Sequence, residues 1–469
     1  MLDFSTLYTL TVFLLMVIFL IWRPHGINEA IPTAIGAVLI FVAGIVPLHD
    51  IIKILGIVSG ASLTILSTIV MSIVLDSIGF FRWAALNLVN RAKGSGVLLY
   101  WYINLLCFLM TMFFNNDGSI LITTPIIIQI VTILNLKHKE KFSYLLSGAL
   151  VATASSAPIA VSNLANLIAL KIVGLDLNSY VAMMFVPSMA GIATISLLLF
   201  YCFRQVIPKR IPVLQESSVG ANSRAVNSRS PRRLRSRRSS RFPQHPIVDL
   251  ASPPVTVDMS MFKVCIAIVI LVRAGLFAGA SFNIPTEWIG IFGALVLIGY
   301  RWYRKGVGPY DIAKKTPWPI ILFAFSIYVV VYGLHNIGLT AALVRLLREP
   351  LAANYLNASL LTGGLLTVMS NLFNNLPSVM IGTFTLTEMA LTTSTLHVAY
   401  LANIIGSDIG SLITPMGTLA TLIWMFILKK NGIKVTWADC LKVTVKVIPA
   451  GLLISLLSLY LWVEMLFVR

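Results

Sequence analysis

The chain has 469 residues, of which 58% are hydrophobic and only 11% are charged. A soluble domain carries about 25% charged residues, so this composition excludes a soluble protein and indicates an integral membrane protein. Residues 204–258 hold eleven Lys or Arg against three acids and so supply +8 of the formal net charge of +18. The remaining basic residues lie mostly at the ends of apolar runs, which is the positive-inside pattern and not a nucleic-acid-binding surface.

The apolar runs of the first half have the length of transmembrane helices. A helix needs roughly 20 residues to cross the hydrocarbon core, and spans are predicted at about 3–22, 30–47, 57–80 and 179–203. The runs are continuous, which excludes the alternating pattern of a membrane barrel. The first run lacks a preceding basic region and a small-residue cleavage site, so we expect a retained span. The amphipathic stretch 81–93 predicts a helix lying in the headgroup layer.

Residues 97–135 predict a re-entrant hairpin. Basic residues flank both ends, Arg91 and Lys93 before it and Lys137 after it. If both basic ends are cytoplasmic, the segment enters and leaves on one side, with residues 115–119 at its tip. The alternative is a pair of full spans, which would place one basic cluster outside.

Residues 143–173 are too long for one regular span and contain a polar, proline-bearing stretch at 155–163. We interpret this stretch as an unwound segment between two half-helices. The alternative is a helix kinked at Pro158, whose serines bond back to helix carbonyls.

An Arg/Ser-rich segment, residues 204–258, separates a first membrane repeat (1–203) from a second (259–469). It cannot build a core, and it predicts a disordered cytoplasmic linker. Contact with anionic lipid headgroups is the alternative to a solvated tether.

The second half repeats the first. Spans are predicted at about 260–280, 286–301, 317–335 and 441–463, with an amphipathic stretch at 345–348, a hairpin at 357–395 and a broken span at 397–428. Asn115 and Asn374 are 259 residues apart, and Ser162 and Gly417 are 255 apart. The fold class is therefore an all-α integral membrane protein with two inverted repeats. It has about ten transmembrane helices, two of them broken, and two hairpins that open from opposite faces.

Polar side chains at the two tips and two breaks are the candidate binding residues. Freed backbone groups at membrane depth are tolerated only where protein or a wet cavity receives them, and half-helix ends aim N–H groups and carbonyls at one point. The candidates are Asn115, Asn116, Ser119, Ser162, Asn163, Asn374, Asn375, Ser378, Thr414 and Thr418. The alternative for each is a hydrogen bond that joins helices. Neither tip nor break contains Arg or Lys, which favours a neutral ligand, although a helix N-terminus alone can hold an anion.

Asp117 and Asp408 are the acids nearest the middle of the predicted membrane segments. An ionisable residue at membrane depth is a functional hypothesis by default, and desolvation favours the neutral carboxyl group that a proton carrier requires. We therefore predict that Asp117 binds the coupled proton, with Asp408 as the next candidate. The alternative for Asp117 is a permanently ionised N-cap of the returning half-helix.

Other classes lack their motifs. The sequence contains neither the phosphate loop G-x-x-x-x-G-K-[ST] of a primary pump nor the H-E-x-x-H and G-x-S-x-G signatures of membrane enzymes. We expect a secondary transporter with no cofactor and no metal. A channel stays open as an alternative, because re-entrant loops also build filters.

The same motifs resemble a known family. Leu75-Asp76, Asn116-Asp117-Gly118, Ser162-Asn163-Leu164 and Asn374-Asn375-Leu376-Pro377 are similar to the arsenite efflux permeases (ArsB type). The most specific stretches are 403–410 and 414–422. The resemblance covers nearly the whole chain except the linker. It implies the fold of the ion transporter superfamily, residence in the cell membrane, and expulsion of arsenite or antimonite in exchange for protons. A sodium/proton antiporter or an organic-anion carrier on the same scaffold is the alternative.

By resemblance, a separate cytoplasmic ATPase subunit is a candidate partner; membrane lipid and a homodimer are further candidates, and nucleic acid is not. The chain departs from the family pattern at two places, with Thr153 in place of an acid and Ser411-Leu412 in place of Pro-Lys. Arsenite at neutral pH is an uncharged trihydroxide, so donors and acceptors suffice as ligands. The four scattered cysteines are interpreted as buried single thiols, which excludes a three-thiolate arsenic site.

The predicted topology places Ser236 in the cytoplasm and both termini outside, because the basic loops then lie inside. Single cysteines at position 236 and near each terminus should differ in their reaction with a membrane-impermeant maleimide applied to intact cells. We expect labelling at the termini and protection at 236; the reverse pattern would refute this arrangement.

Overall fold

The computed structural model describes residues 3–24, 27–212, 258–282 and 284–466, and within these ranges the chain is helical, without strands. Helices α1–α9 of the first half span Phe4–Trp22, Ala30–Val42, Leu48–Ser77, Phe80–Arg91, Gly96–Phe113, Asn116–Ile133, His138–Ala154, Leu164–Val173 and Leu177–Phe203. Helices α10–α19 of the second half span Met259–Ser281, Thr286–Lys305, Tyr310–Lys315, Pro319–Asn336, Leu339–Ala353, Tyr355–Phe373, Asn375–Glu388, Thr393–Asp408, Leu419–Lys430 and Trp437–Leu466. Most of the predicted linker, residues 213–257, and Asn283 lie outside the described ranges.

The described segments include ten helical stretches long and apolar enough to cross a membrane. The helices of the two halves correspond in order, with α12 and α13 together matching α3. Their contacts are reciprocal: α3 packs on α11 as α2 packs on α13, and α6 packs on α18 as α8 packs on α16. The predicted all-helical class with two repeats is confirmed. Each hairpin contacts the broken helix of the other half.

Two glycines mark the centre of this symmetry. Gly191 on α9 and Gly451 on α19 are 260 residues apart, the spacing of the repeat. A Cβ atom on Gly191 would lie 3.0 Å from the Gly451 carbonyl oxygen, and one on Gly451 would lie 3.3 Å from the Gly191 carbonyl oxygen. The pseudo-two-fold axis therefore passes between two backbones in close contact, as small residues allow in membranes.

The boundary between the second and third spans differs from the prediction. Helix α2 ends at Val42, because Gly44 adopts a left-handed φ of +72°. Pro47 precedes α3, which starts at Leu48 instead of residue 57. The first turns of α3, which contain His49 and Asp50, lie before the apolar run from which the span 57–80 was predicted. Among the cysteines, Cys202 is exposed, so the buried interpretation is wrong for it, whereas the other three are buried.

The contact across the axis predicts the effect of a large side chain. Gly191→Leu and Gly451→Leu should each separate α9 from α19 and reduce the free energy of unfolding by about 1–3 kcal/mol, the usual cost of overpacking. Gly299→Leu on α11 is the matched control, because a Cβ at Gly299 meets nothing within 4 Å. Thermal melting in detergent measures all three; equal melting temperatures for the axis and control variants would contradict the assignment.

Candidate functional site

The first hairpin turns at Asn115, between α5 and α6. The Asn115 Oδ1 atom accepts a hydrogen bond from the Gly118 backbone N–H at 2.9 Å and so caps α6. A Cβ atom on Gly118 would lie 2.5 Å from that oxygen, so the tip requires glycine there. The cap is thus Asn115, and the alternative in which Asp117 caps the returning helix is wrong.

The second hairpin turns at Asn374, between α15 and α16. Asn374 has a φ of +77° and a ψ of 156°, a backbone conformation that residues other than glycine rarely adopt, so the tip is strained at this position. Its Nδ2 atom donates to the Met416 carbonyl at 3.2 Å and so ties the tip to the second broken helix. Ser378 Oγ donates to the Asn374 carbonyl at 2.8 Å. Both side chains therefore stabilise the tip itself.

Both broken helices are confirmed as interrupted helices. The first stops at Ala154, passes through a 3₁₀ turn at Ala160–Ser162 and resumes at Leu164; the second stops at Asp408 and resumes at Leu419. The kinked-helix alternative is therefore wrong. Asn163 Oδ1 caps α8 through the Ala165 N–H at 3.1 Å, and Thr418 Oγ1 caps α18 through the Thr421 N–H at 3.1 Å.

Asp408 lies where the two interrupted helices meet, and it is 1% exposed. Three hydrogen bonds to this carboxyl group come from the other repeat. Ser156 Oγ donates to Oδ2 at 2.8 Å, Asn163 Nδ2 donates to Oδ1 at 2.8 Å, and Asn166 Nδ2 donates to Oδ2 at 2.7 Å. No described Lys, Arg or His forms an ion pair with this carboxyl group. It is therefore held across the repeat interface by neutral donors alone.

The symmetric position carries no acid. Thr153 precedes Asp408 by 255 residues, the spacing of the breaks, and its hydroxyl donates to the Ala149 carbonyl of its own helix. Ser411, the equivalent of Ser156, has a buried hydroxyl without a partner among the described residues. With Thr153 at this position, Asp408 is the one carboxylate at the crossing among the described residues.

The predicted binding residues fall into two groups. In the first group the polar atoms bond within the fold, as described above: Asn115, Asn163, Asn374, Ser378 and Thr418. In each residue of the second group, at least one side-chain polar atom has no hydrogen-bond partner among the described residues. These residues are Asn116, Ser119, Ser162, Asn375 and Thr414. All of the second group except the half-buried Thr414 are buried. These atoms remain available to a ligand.

The first tip lies near the crossing. The half-buried Asp117 interacts electrostatically with Asp408 and with the ion pair between Arg23 and Glu29. The first hairpin and the second broken helix, which belong to different repeats, therefore bring both candidate acids to one region.

Sequence reasoning missed two contributors. Asn371 on α15 accepts from the Thr414 N–H at 2.8 Å and donates to the Gly410 carbonyl at 2.9 Å, so it satisfies the unwound second break. The available signal was its position one helical turn before Asn375. Arg273 from α10 donates to the Phe113 carbonyl at the first tip, so a cation reaches a segment that itself contains no basic residue.

Loss of Asn371 should therefore destabilise the second break. Asn371→Ala leaves two backbone groups without partners, at about 1–3 kcal/mol for each group. Ser196→Ala is the matched control, because its hydroxyl donates only to the Ile192 carbonyl of its own helix. Limited proteolysis and thermal melting of the purified variants compare them; an Asn371→Ala protein as stable as the control would contradict this role.

Comparison with known proteins gives one consistent family. A sequence model described as arsenical pump membrane protein (ArsB) matches residues 8–228 and 243–463. A putative arsenical pump membrane protein of Bacillus subtilis (strain 168) is 47% identical over 456 residues, covering 97% of this chain and 99% of the relative. An arsenical pump membrane protein of Escherichia coli is 30% identical over 427 residues, covering 91% and 92%.

A solved structure gives the fold alone. The YdaH transporter of Alcanivorax borkumensis superposes with a TM-score of 0.54 over 88% of each chain, at 10% identity. The two chains therefore share a fold.

Proposed function

Because this chain belongs to the arsenical pump membrane protein family, we propose that it exports arsenite or antimonite as neutral trihydroxides in exchange for protons. It is a multi-pass protein of the cell membrane. The observation that carries the proposal is the buried carboxyl group of Asp408, which is held by three neutral donors and forms no ion pair among the described residues.

The acceptor capacity of this carboxylate supports exchange. An ionised carboxylate offers about four acceptor positions, and the donors from Ser156, Asn163 and Asn166 occupy three of them. The fourth can accept a hydroxyl from the neutral substrate. When Asp408 is protonated, that position carries hydrogen and cannot accept. Proton and substrate therefore compete for one group, which is the requirement for antiport.

The protonated form also fits its surroundings. A protonated Asp408 carries its hydrogen at the fourth position, and its other three acceptor positions keep the hydrogen bonds from Ser156, Asn163 and Asn166. A buried carboxylate with a fixed cationic partner would pay a large penalty on neutralisation, because the cation would stay unpaired. With neutral donors alone, the carboxyl group can gain and lose a proton without stranding another charge.

The unpartnered atoms of the second group supply the rest of a site for a neutral, hydroxyl-rich ligand. The free Asn116 Oδ1 atom can accept a hydrogen bond from a trihydroxide, and the free hydroxyls of Ser119 and Ser162 can donate or accept one. The charge of Arg273 is directed at backbone carbonyls of the first tip, so this set is neutral apart from the two acids. Such a set favours an uncharged ligand over a multiply charged anion.

The reciprocal contacts support alternating access. Hairpin helix α6 packs on α18, and α16 packs on α8. A movement of one repeat relative to the other must therefore change both tip-to-break contacts together. This coupling allows one side of the site to open as the other closes. A homodimer and a separate ATPase subunit remain predictions about partners.

The substrate is tested by transport into everted membrane vesicles. Arsenite, sodium and a dicarboxylate are compared side by side, with and without an imposed pH gradient. We expect accumulation of arsenite only, and collapse of that accumulation when a protonophore is added. Accumulation of sodium or of dicarboxylate without arsenite would instead support the antiporter or anion-carrier alternative.

Asp408→Asn should abolish arsenite accumulation driven by a pH gradient, because the amide cannot titrate. Asp117→Asn is measured beside it to decide which of the two candidate acids binds the proton. We expect the rate of uphill transport by Asp408→Asn to fall at least about 100-fold, which corresponds to roughly 2.7 kcal/mol. The amount of the variant protein in the membrane should equal that of the wild type. Asn116→Ala should instead weaken the apparent affinity for arsenite without removing the response to pH. Uphill transport by Asp408→Asn together with its loss in Asp117→Asn would assign the proton to Asp117.

A further inference from the structure

A buried arginine forms hydrogen bonds to the C-terminal end of α5, the first helix of the first hairpin. Arg273 on α10 is 5% exposed. Its Nε atom donates to the Phe113 carbonyl at 2.6 Å, and its Nη2 atom donates to the Phe114 carbonyl. It lies fourteen residues into α10, roughly 21 Å along the helix axis, and therefore at membrane depth.

The two carbonyls belong to the C-terminal end of a half-helix. Helix α5 ends at Phe113, and the last four carbonyls of a helix have no partner within it. They carry the negative end of the helix dipole, which attracts cations. In transporters with interrupted helices, such carbonyls coordinate the coupling cation. In this chain a guanidinium, which is always charged, donates to two of them.

No carboxylate neutralises Arg273 among the described residues. It forms no ion pair, and its Nη1 atom has no hydrogen-bond partner there. Its charge is therefore compensated by carbonyl dipoles, as that of a bound metal cation would be. A charged side chain at membrane depth is costly, which makes the position a functional candidate.

At the second hairpin, the position equivalent to Arg273 carries an aromatic side chain and not a cation. Phe13 on α1 precedes Arg273 by 260 residues, the spacing of the repeat, and also reaches a hairpin tip. Its ring packs against Phe373 with centroids 5.5 Å apart. The equivalent positions thus place a cation at the first tip and an aromatic ring at the second.

We propose that Arg273 is a tethered cation that occupies, at the first tip, the place of a coupling alkali-metal ion, so that transport by this chain is independent of sodium. Arg273 is a positioning residue in this scheme: it fixes the α5 end and the tip peptide that precedes Asn116. Removal of the side chain should uncover the two carbonyls and leave a space that a small cation can enter. This inference rests on the proposed transport only in the second of its two measurements.

The first measurement is thermal melting of purified protein in sodium chloride or in choline chloride at equal ionic strength. Wild type should melt at the same temperature in both salts. Arg273→Ala should melt lower in choline and regain about 2 °C or more in sodium or low-millimolar guanidinium, because a ligand that binds the folded state stabilises it. Arg273→Met, which fills the space with apolar atoms, should show no response to either cation.

The second measurement is arsenite transport by the same variants. Arg273→Lys should keep sodium-independent transport, and Arg273→Ala should lose at least about tenfold, about 1.4 kcal/mol, with part of the loss restored by sodium or guanidinium. Phe13→Ala is the matched control, because it removes a contact to a hairpin tip without removing a charge. Neither sodium nor guanidinium should restore arsenite transport by this variant.

Several outcomes would overturn the inference. They are a sodium requirement in wild type, an Arg273→Met protein that transports as wild type does, and an Arg273→Ala protein without a cation response. If Arg273→Ala does not fold, Arg273→Lys and Arg273→Met still decide by their contrast. If wild type transports no arsenite, the melting experiment still tests the cation site, so failure of the proposed function is distinguished from failure of this inference.

Discussion

A carboxyl group at the centre of a membrane protein needs hydrogen-bond donors, because neither lipid nor a dry interior supplies them. Asp408 receives three from the opposite repeat, through Ser156, Asn163 and Asn166. Two of these donors, Ser156 and Asn163, lie in the unwound stretch between α7 and α8. In a continuous helix their side chains would point in other directions. The interrupted first helix and the close approach of the two repeats therefore both serve this one group.

The division of polar groups follows from the same constraint. Each interruption frees backbone groups, and the chain assigns side chains such as Asn115, Thr418 and Asn371 to satisfy them. Polar atoms that remain without partners, among them those of Asn116 and Ser162, are then the ones available to a ligand. Separating these roles explains how tips rich in Asn and Ser can be both rigid and capable of binding.

The two repeats share a fold but differ in charge at equivalent positions. Asp408 corresponds to Thr153, and Arg273 corresponds to Phe13. At these two pairs of positions, a carboxyl group and a guanidinium of the second half stand where the first half has uncharged side chains. A single titratable group at the crossing suits exchange of one proton for one neutral molecule, and a fixed cation at one tip removes the need for a dissociable one there.

The sequence was sufficient for the helical class, the repeat and the positions of the breaks, because long apolar runs and doubled Asn residues carry those signals locally. It failed at the start of α3, where charged residues extend the helix beyond the apolar run. It also could not reveal the partners of Asp408, which lie some 242–252 residues away. Arg273 was visible as a charge within the predicted span 260–280, but its partners were not, because they are backbone carbonyls, which any residue provides.

The central claim is that arsenite and a proton compete for Asp408. Proton release on substrate binding tests it most directly, with purified transporter in a weakly buffered solution and a pH-sensitive dye. The account predicts that arsenite added to the protonated wild-type protein releases about one proton per bound molecule, as the linkage between the two ligands requires. It also predicts no release from Asp408→Asn. Arsenite binding without proton release from wild type, or equal release from both proteins, would contradict it.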